Sequence, residues 1–195
     1  MAQILPTKGN LIGLKRSRRL AETGYQLMDK KRTILAKEMM QRLETVKTLQ
    51  AQIDTRFREA YTALALAQRQ HPVAGLGEHA AVDESIELRS RSVMGVLILR
   101  VIFEPQAAGL PYPLTMSGPS LDEAYLKFYE LKGLLLEMAE AETAVYCLAE
   151  AMKKTQKRTN ALRHIVLPAT DADLRRIREA LEEKEREEYT RLKKC

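Results

Sequence analysis

The run LKGLLLEMAEAETAVYCLAEAMKKTQKRTNALRHIV, residues 131–166, decides the fold. Apolar side chains recur in it at Leu131, Leu135, Met138, Val145, Leu148, Met152, Leu162 and Val166, and Thr155 and Thr159 stand on the same line. The intervals are threes, fours and a seven, a heptad rhythm that leaves a narrow stripe with charged residues on the other faces. That is the pattern of a coiled-coil seam rather than of a broad globular-helix face. A single helix cannot bury such a stripe by itself, so it requires a partner.

The other end of the chain supplies one. From Leu11 to about Gln70 there is no proline, and Leu11, Leu14, Ala21, Met28, Leu35, Met39, Val46, Leu49 and Ile53 fit one seam. Phe57, Ala60, Leu64 and Ala67 continue it after a one-residue change of phase, which alters supercoiling locally without ending a helix. Roughly sixty residues at 1.5 Å each give a rod on the order of 90 Å. Pro6-Thr7 sets its start, with Asn10 expected as N-cap. The second arm opens at Ser120, expected as N-cap, with Asp122 and Glu123 favouring its first turn. Pro168 interrupts that arm, and the seam resumes in a new phase at Leu174, Ile177 and Leu181. A proline inside a helix costs about 3 kcal/mol and bends it.

Between the arms the pattern changes. His71-Pro72 and Gly75-Leu76-Gly77 stop the first helix. Residues 82–89 alternate weakly, with Val82, Ile86 and Leu88 on one face, and residues 92–104 (SVMGVLILRVIFE) form a strong β segment. Together they predict a two-stranded hairpin, although Arg89-Ser90-Arg91-Ser92 is not a tight-turn sequence. Residues 105–120 hold four of the seven prolines and two of the glycines and read as an irregular connector. The expected architecture is mainly α: a long antiparallel two-helix coiled coil with a small β-hairpin insert. Its divisions are an N-terminal helix over 1–70, a hairpin and connector over 71–120, and a C-terminal helix over 121–195.

Composition narrows the function. With 195 residues, 30% charged, 5% aromatic and no Trp, the chain is built for long helices rather than for a compact globule. Thirty-two Lys/Arg against 26 Asp/Glu give a net charge of +6, and residues 1–60 hold thirteen Lys/Arg against six Asp/Glu. Cys147 and Cys195 form no CxxC pair and read as free thiols of a reducing cytoplasm, while His71, His79 and His164 are scattered. No segment has the length and apolarity of a membrane span. There is no phosphate-cradling GxxxxGK[ST], no HExxH, no GxSxG and no Cys beside a paired His. The acidic run EALEEKEREE (179–188) is interleaved with Lys184 and Arg186 and reads as a solvated helix face, with Glu182 and Arg186 as an i,i+4 pair. No catalytic, cofactor or metal constellation is readable. The basic cluster Lys15-Arg16-Ser17-Arg18-Arg19 suits either a solvated face or an acidic protein surface. Nucleic acid would want a sustained basic face with stacking aromatics, and Tyr25 is the only nearby ring.

Four segments, taken in order, resemble the D subunit of the V-type and A-type rotary ATPases. PTKGNLIGLKRSRRLAETGYQLMDKKR (6–32) is similar to the opening of that family, and SVMGV (92–96) to its hairpin core. KKTQKRTNALRHIVLP (153–168), carrying Asn160, Leu162 and Pro168, is similar to its most recognisable stretch. EEKEREEYTRLKK (182–194) is similar to its close. The chain departs at Arg163-His164, where an acidic residue commonly follows Ala-Leu. The resemblance implies a non-catalytic central rotor shaft with no cofactor, cytoplasmic and peripheral to the membrane. Its partners would be the catalytic A and B subunits of the head, the small F subunit of the rotor, and an adaptor seating the rotor on the membrane ring. Under that reading Lys15, Arg16, Arg18 and Arg19, together with Arg186 and Arg191, are the residues expected to meet the head. A bend at Pro168 would make the rotor asymmetric. The competing reading is a free-standing coiled-coil adaptor that binds protein or RNA through its basic arm.

Overall fold

The computed structural model describes residues 5–70, 85–103, 112 and 118–194. Helix α1 spans Lys8–Gln70, strands β1 and β2 span Ile86–Val93 and Val96–Phe103, and helices α2 and α3 span Pro119–Ala161 and Leu167–Lys194. A π-helical turn, Leu162–Val166, joins the last two. The chain is therefore mainly α, with two long helical arms around an antiparallel two-stranded insert. The helix-stopping residues 71–77, the strand start at Val82, the connector apart from Tyr112 and 118–120, and Cys195 lie outside the described residues.

Helix α1 begins at Lys8, directly after Pro6-Thr7 as expected. Both N-caps, however, differ from the residues expected, for one reason: the group that fills the cap lies nearer the proline. At α1 the cap is Thr7, not Asn10. Thr7 Oγ1 accepts the Asn10 backbone N–H at 3.2 Å, and the Thr7 carbonyl accepts that of Leu11 at 3.0 Å. Asn10 instead reaches back, donating from Nδ2 to the Leu5 carbonyl at 2.9 Å. At α2 the cap is Gly118, not Ser120: its carbonyl accepts from the Leu121 and Asp122 N–H groups at 2.9 and 3.1 Å. Pro119 takes the first helical position, where its missing N–H is no loss. Ser120 is left free to donate its hydroxyl to Gln70 Oε1 at 2.6 Å.

The chain divides into two compact units, one made of Met1–Leu35 with Ala151–Cys195 and the other of Ala36–Glu150. In the first, α1 runs antiparallel to the C-terminal arm: Lys8 pairs with Glu185 at 3.0 Å, Arg18 with Asp171, and Arg32 donates to Gln156 Oε1 at 3.1 Å. As one number rises the other falls. Leu35, Leu174 and Ile177 are buried there, as are Thr155 and Thr159, which fill the seam as the heptad pattern predicts. Their hydroxyls donate to the Ala151 and Thr155 carbonyls at 2.8 and 2.9 Å, so burial leaves neither unsatisfied.

The second unit is antiparallel as well, with Arg56 beside Glu130 and the Tyr61 ring edge-on to Phe128 at 5.5 Å. Its seam is lined by small residues. Ala60, Ala63 and Ala67 of α1 and Ala124, Ala141 and Ala144 of α2 are buried together with Leu49, Leu121, Leu131 and Leu148. These alanines explain two departures from the heptad reading. Leu135 is 44% exposed because the stripe passes through Leu131, the half-buried Leu134 and Met138 and on to Ala141 and Ala144. Phe57 is exposed because α1 turns Ala60 and Ala63 inward, leaving Phe57 to stack on Tyr61 at 4.8 Å.

Tyr112 is buried against Ala63, Ala67, Leu121 and Ala124 and donates its hydroxyl to Asp122 Oδ1 at 2.7 Å. Burial first, then the Asp122 carboxylate, raises its phenol pKa well above the usual value. The unfolded chain loses this proton near pH 10 while the folded chain keeps it, so the group erodes stability as pH rises beyond about 10. Tyr112→Phe is expected to flatten that alkaline decline in thermal melts from pH 8 to 11.5. It should also lower stability by about 1 kcal/mol below pH 10, through the lost hydrogen bond.

The hairpin is where the β reading needs correction. SVMGVLILRVIFE is not one strand after a turn at 89–92. It contains the turn, and β1 runs on through Arg89-Ser90-Arg91-Ser92. Met94 and Gly95 have φ of 51° and 75°, and the register pairs Val93 with Val96 and Ile86 with Phe103. Positive φ at both central residues of a two-residue loop matches the twist of the flanking strands, and glycine in second place supplies it without strain. Strand β2 faces the rest of its unit. Ile98 is buried, the Val101 N–H donates to Glu140 Oε2 at 2.9 Å, and Lys132 sits over the Phe103 ring at 5.3 Å.

Pro168 is accommodated by the π turn that precedes it. The Leu167 N–H reaches the Leu162 carbonyl, five residues back. The wider turn eases the clash between a proline ring and the carbonyl four residues earlier. The Thr170 hydroxyl donates to the Val166 and Leu167 carbonyls at 3.0 and 2.9 Å. The extra residue rotates the following face by roughly 100°, which is why Val166 is exposed and the seam resumes at Leu174 and Ile177. Pro168→Ala is expected to restore an α-helical ladder and raise the stability of the isolated chain by about 1–2 kcal/mol in urea denaturation, part of the helix-interior cost of proline.

Candidate functional site

The sequence marks Lys15, Arg16, Arg18 and Arg19 on α1, and the structure places three of the four beside cations it did not mark. Lys15, Arg18, Arg19 and Glu22 of α1 face Asp171, Leu174, Arg175 and Arg178 of α3 across an open groove of about 600 Å3 within the first unit. Lys15, Arg18 and Glu22 fall on successive turns of α1. Arg175 and Arg178 flank the buried Leu174 and Ile177, so apolar packing of the seam aims both arginines at the groove's margin. Arg16 is exposed and does not line the groove.

Arg18 is the member already spoken for. Its Nε donates to Asp171 Oδ1, and its other branch lies 3.7 Å from Glu22. The Arg18–Asp171 pair is the strut that links the two helices at the surface, and the hydrogen bond to Asp171 and then its charge raise the Arg18 pKa. Lys15, Arg19, Arg175 and Arg178 make no ion pair among the described residues. Four free cations around one groove form an array for a multiply charged anionic surface, with guanidinium forks for carboxylates and an ammonium as a point charge.

The charge of the whole unit points the same way. Its residues include twenty-one Lys/Arg and ten Asp/Glu, a net of +11, whereas the other unit has eleven and sixteen, a net of −5. The modest overall +6 hides this division.

The remaining marked residues sit apart from the groove. Arg186 and Arg191 line a shallow hollow with Glu183, Glu187 and Thr190 near the end of α3. Arg186 pairs with Glu183 at 3.8 Å, one residue closer than the Glu182 partner expected from the sequence. Asn160 accepts from Gln156 Nε2 at 3.1 Å, and Gln156 in turn accepts from Arg32, which also pairs with Asp29 at 2.7 Å. Asn160 therefore ends a polar bridge between the arms. Leu162 is half-buried in the π turn, and Pro168 follows it at the start of α3. No helix among the described residues is long and apolar enough to cross a membrane.

Comparison with known proteins agrees across almost the whole length. Residues 10–195 match the family model for the ATP synthase D subunit. The V-type ATP synthase D subunit of Thermotoga neapolitana is 37% identical over 194 residues, covering 98% of this chain and 96% of the relative. The A-type ATP synthase D subunit of Thermococcus gammatolerans is 32% identical over 203 residues, covering 100% and 95%. That of Methanobrevibacter smithii is 35% identical over 196 residues, covering 97% and 85%.

Proposed function

This chain belongs to the ATP synthase D subunit family, and on that premise we propose that it is the non-catalytic central rotor shaft of a V/A-type ATP synthase. It transmits torque between ATP turnover in the catalytic head and ion movement through the membrane ring. Its partners in this reading are the catalytic A and B subunits, the small F subunit of the rotor, and the adaptor that seats the rotor on the ring. The observation that carries the proposal is the antiparallel pairing of long helices, cross-linked from Lys8–Glu185 to Arg18–Asp171 and Arg32–Gln156, in a chain matched to that family over nearly its whole length.

A shaft needs stiffness, a bearing surface and asymmetry rather than a reactive side chain. Stiffness follows from seams filled by leucine, threonine and alanine, since helices locked along their length resist twisting as a pair. The bearing surface is the basic groove. Exposed charges in water attract weakly and are screened beyond about 8 Å at physiological salt, so they slide past successive acidic partners instead of locking to one. Asymmetry comes from the π turn and Pro168, which rotate the exposed face of α3, and from the cations gathered at Lys15, Arg19, Arg175 and Arg178. Three equivalent head sites would meet different sides of such a rotor.

The test is reconstitution of the complex with and without this chain. Ion pumping that tracks ATP turnover only when the chain is present supports the shaft. Equal coupling in its absence, or recovery of the chain alone or on RNA, ends the proposal.

A further inference from the structure

Strand β1 is the outer strand of the hairpin, and every residue from Ile86 to Ser92 is exposed. The two-residue turn makes Val93 and Val96 a hydrogen-bonded pair, and the ladder alternates from there, so Arg91 and Arg89 bond inward to β2. The N–H and C=O groups of Leu88, Ser90 and Ser92 therefore point away from β2. None of the three has a partner among the described residues. The opposite edge is different, because Glu140 caps the Val101 N–H. An uncovered edge of this length is a ready template for another strand.

The two faces of the hairpin specify what that strand is. On one face Leu88 and Ile86 stand exposed next to Leu97 and Leu99, with Leu88 at 64% and Leu97 at 69%. On the other face Arg89, Arg91 and Arg100 are gathered, with Arg89 directly opposite Arg100. Like charges facing each other across a ladder are destabilising. Glu87 binds Arg89 through two contacts of 3.1 and 3.0 Å, and Arg91 and Arg100 have no carboxylate partner among the described residues. A neighbour laid along β1 would put every second side chain against the leucines and the alternate ones beside the arginines.

We infer that β1 is a docking edge for an extended partner segment of alternating apolar and acidic residues, which adds a third strand to the hairpin. Main-chain bonds to Leu88, Ser90 and Ser92 hold the strand. The leucine face and the arginine face set its register and its charge. This inference stands apart from the rotor reading, since it concerns only the hairpin.

The experiment is hydrogen exchange on the full chain with three probes: a decapeptide alternating valine and glutamate, one alternating valine and lysine, and a scrambled form of the first. The Leu88, Ser90 and Ser92 amides should exchange freely in the chain alone. The valine–glutamate peptide should slow them at least tenfold, and the other two should leave them unchanged. Ser90→Pro removes an outward N–H while leaving the β1–β2 ladder whole, so it should abolish the protection without changing exchange at Arg89 and Arg91. Arg91→Glu leaves Arg89 and Arg100 against two glutamates on that face, so it should abolish the preference for the glutamate peptide over the lysine peptide. Protection of these amides in the chain alone, whether by its own segments or by a concentration-dependent second copy, overturns the inference. So does equal protection by all three peptides, or protection that survives Ser90→Pro.

Discussion

Replacing Leu148 with alanine is expected to lower the unfolding free energy by about 2–5 kcal/mol, while Leu135→Ala costs less than about 1 kcal/mol. Both leucines stand in the same heptad stripe, so periodicity alone assigns them equal weight. Burial separates them: Leu148 has no exposed surface and Leu135 keeps 44%. The cost at Leu148 should lie in the upper part of its range. Its neighbours along α2, Ala141 and Ala144, are buried and small, and they have no bulk with which to refill the space. A cavity that cannot collapse adds its own penalty to the lost transfer energy. Urea titration of the two variants measures the difference, and a melting point falling by roughly 5–15 °C for Leu148→Ala alone is the thermal counterpart. Equal losses at the two positions would mean that the seam is the one drawn from the heptad, not the one lined with alanines.

That contrast shows what could be read from the chain. Both helical arms and their antiparallel pairing were legible because a stripe recurring every 3.5 residues has few other solutions. The buried Thr155 and Thr159 were legible for the same reason. The face of the seam was less so, since Leu134 and Leu135, or Ala144 and Val145, satisfy the spacing equally, and only contact with α1 selects one of each pair. The hairpin was legible as a β insert but its turn was not. Met94-Gly95 is flanked by valines that read as continuous strand, and the decisive property is a backbone angle that methionine rarely adopts. Pro168 was visible, but not the π turn upstream that absorbs it. The groove was half legible: Lys15 and Arg19 stand in an evident cluster. Arg175 and Arg178 join them only through the cross-helix register that sets Arg18 against Asp171, and no local pattern encodes that register.

On the proposed shaft reading, reversing the groove by Lys15→Glu, Arg19→Glu, Arg175→Glu and Arg178→Glu is expected to weaken association with the catalytic A and B subunits on the order of a hundredfold. Each exposed pair is worth roughly 0.2–1 kcal/mol, and four reversals together reach about 3 kcal/mol, where every 1.4 kcal/mol is tenfold. The fold should survive, because none of the four is paired among the described residues and the strut Arg18–Asp171 is untouched. Circular dichroism and melting of the free variant check this. Arg186→Glu with Arg191→Glu should cost only a few-fold. Arg186 already leans on Glu183, and the residues beside the pair, Glu187 and Glu188, leave little net positive charge to lose. The wild-type chain should bind more weakly as salt rises, and the quadruple variant should lose most of that dependence, since screening acts only on charges that attract. An equal effect from the two sets of substitutions would move the bearing to the end of α3. No effect from either would leave apolar contacts as the grip, and a shaft held that way would not slide from one head site to the next.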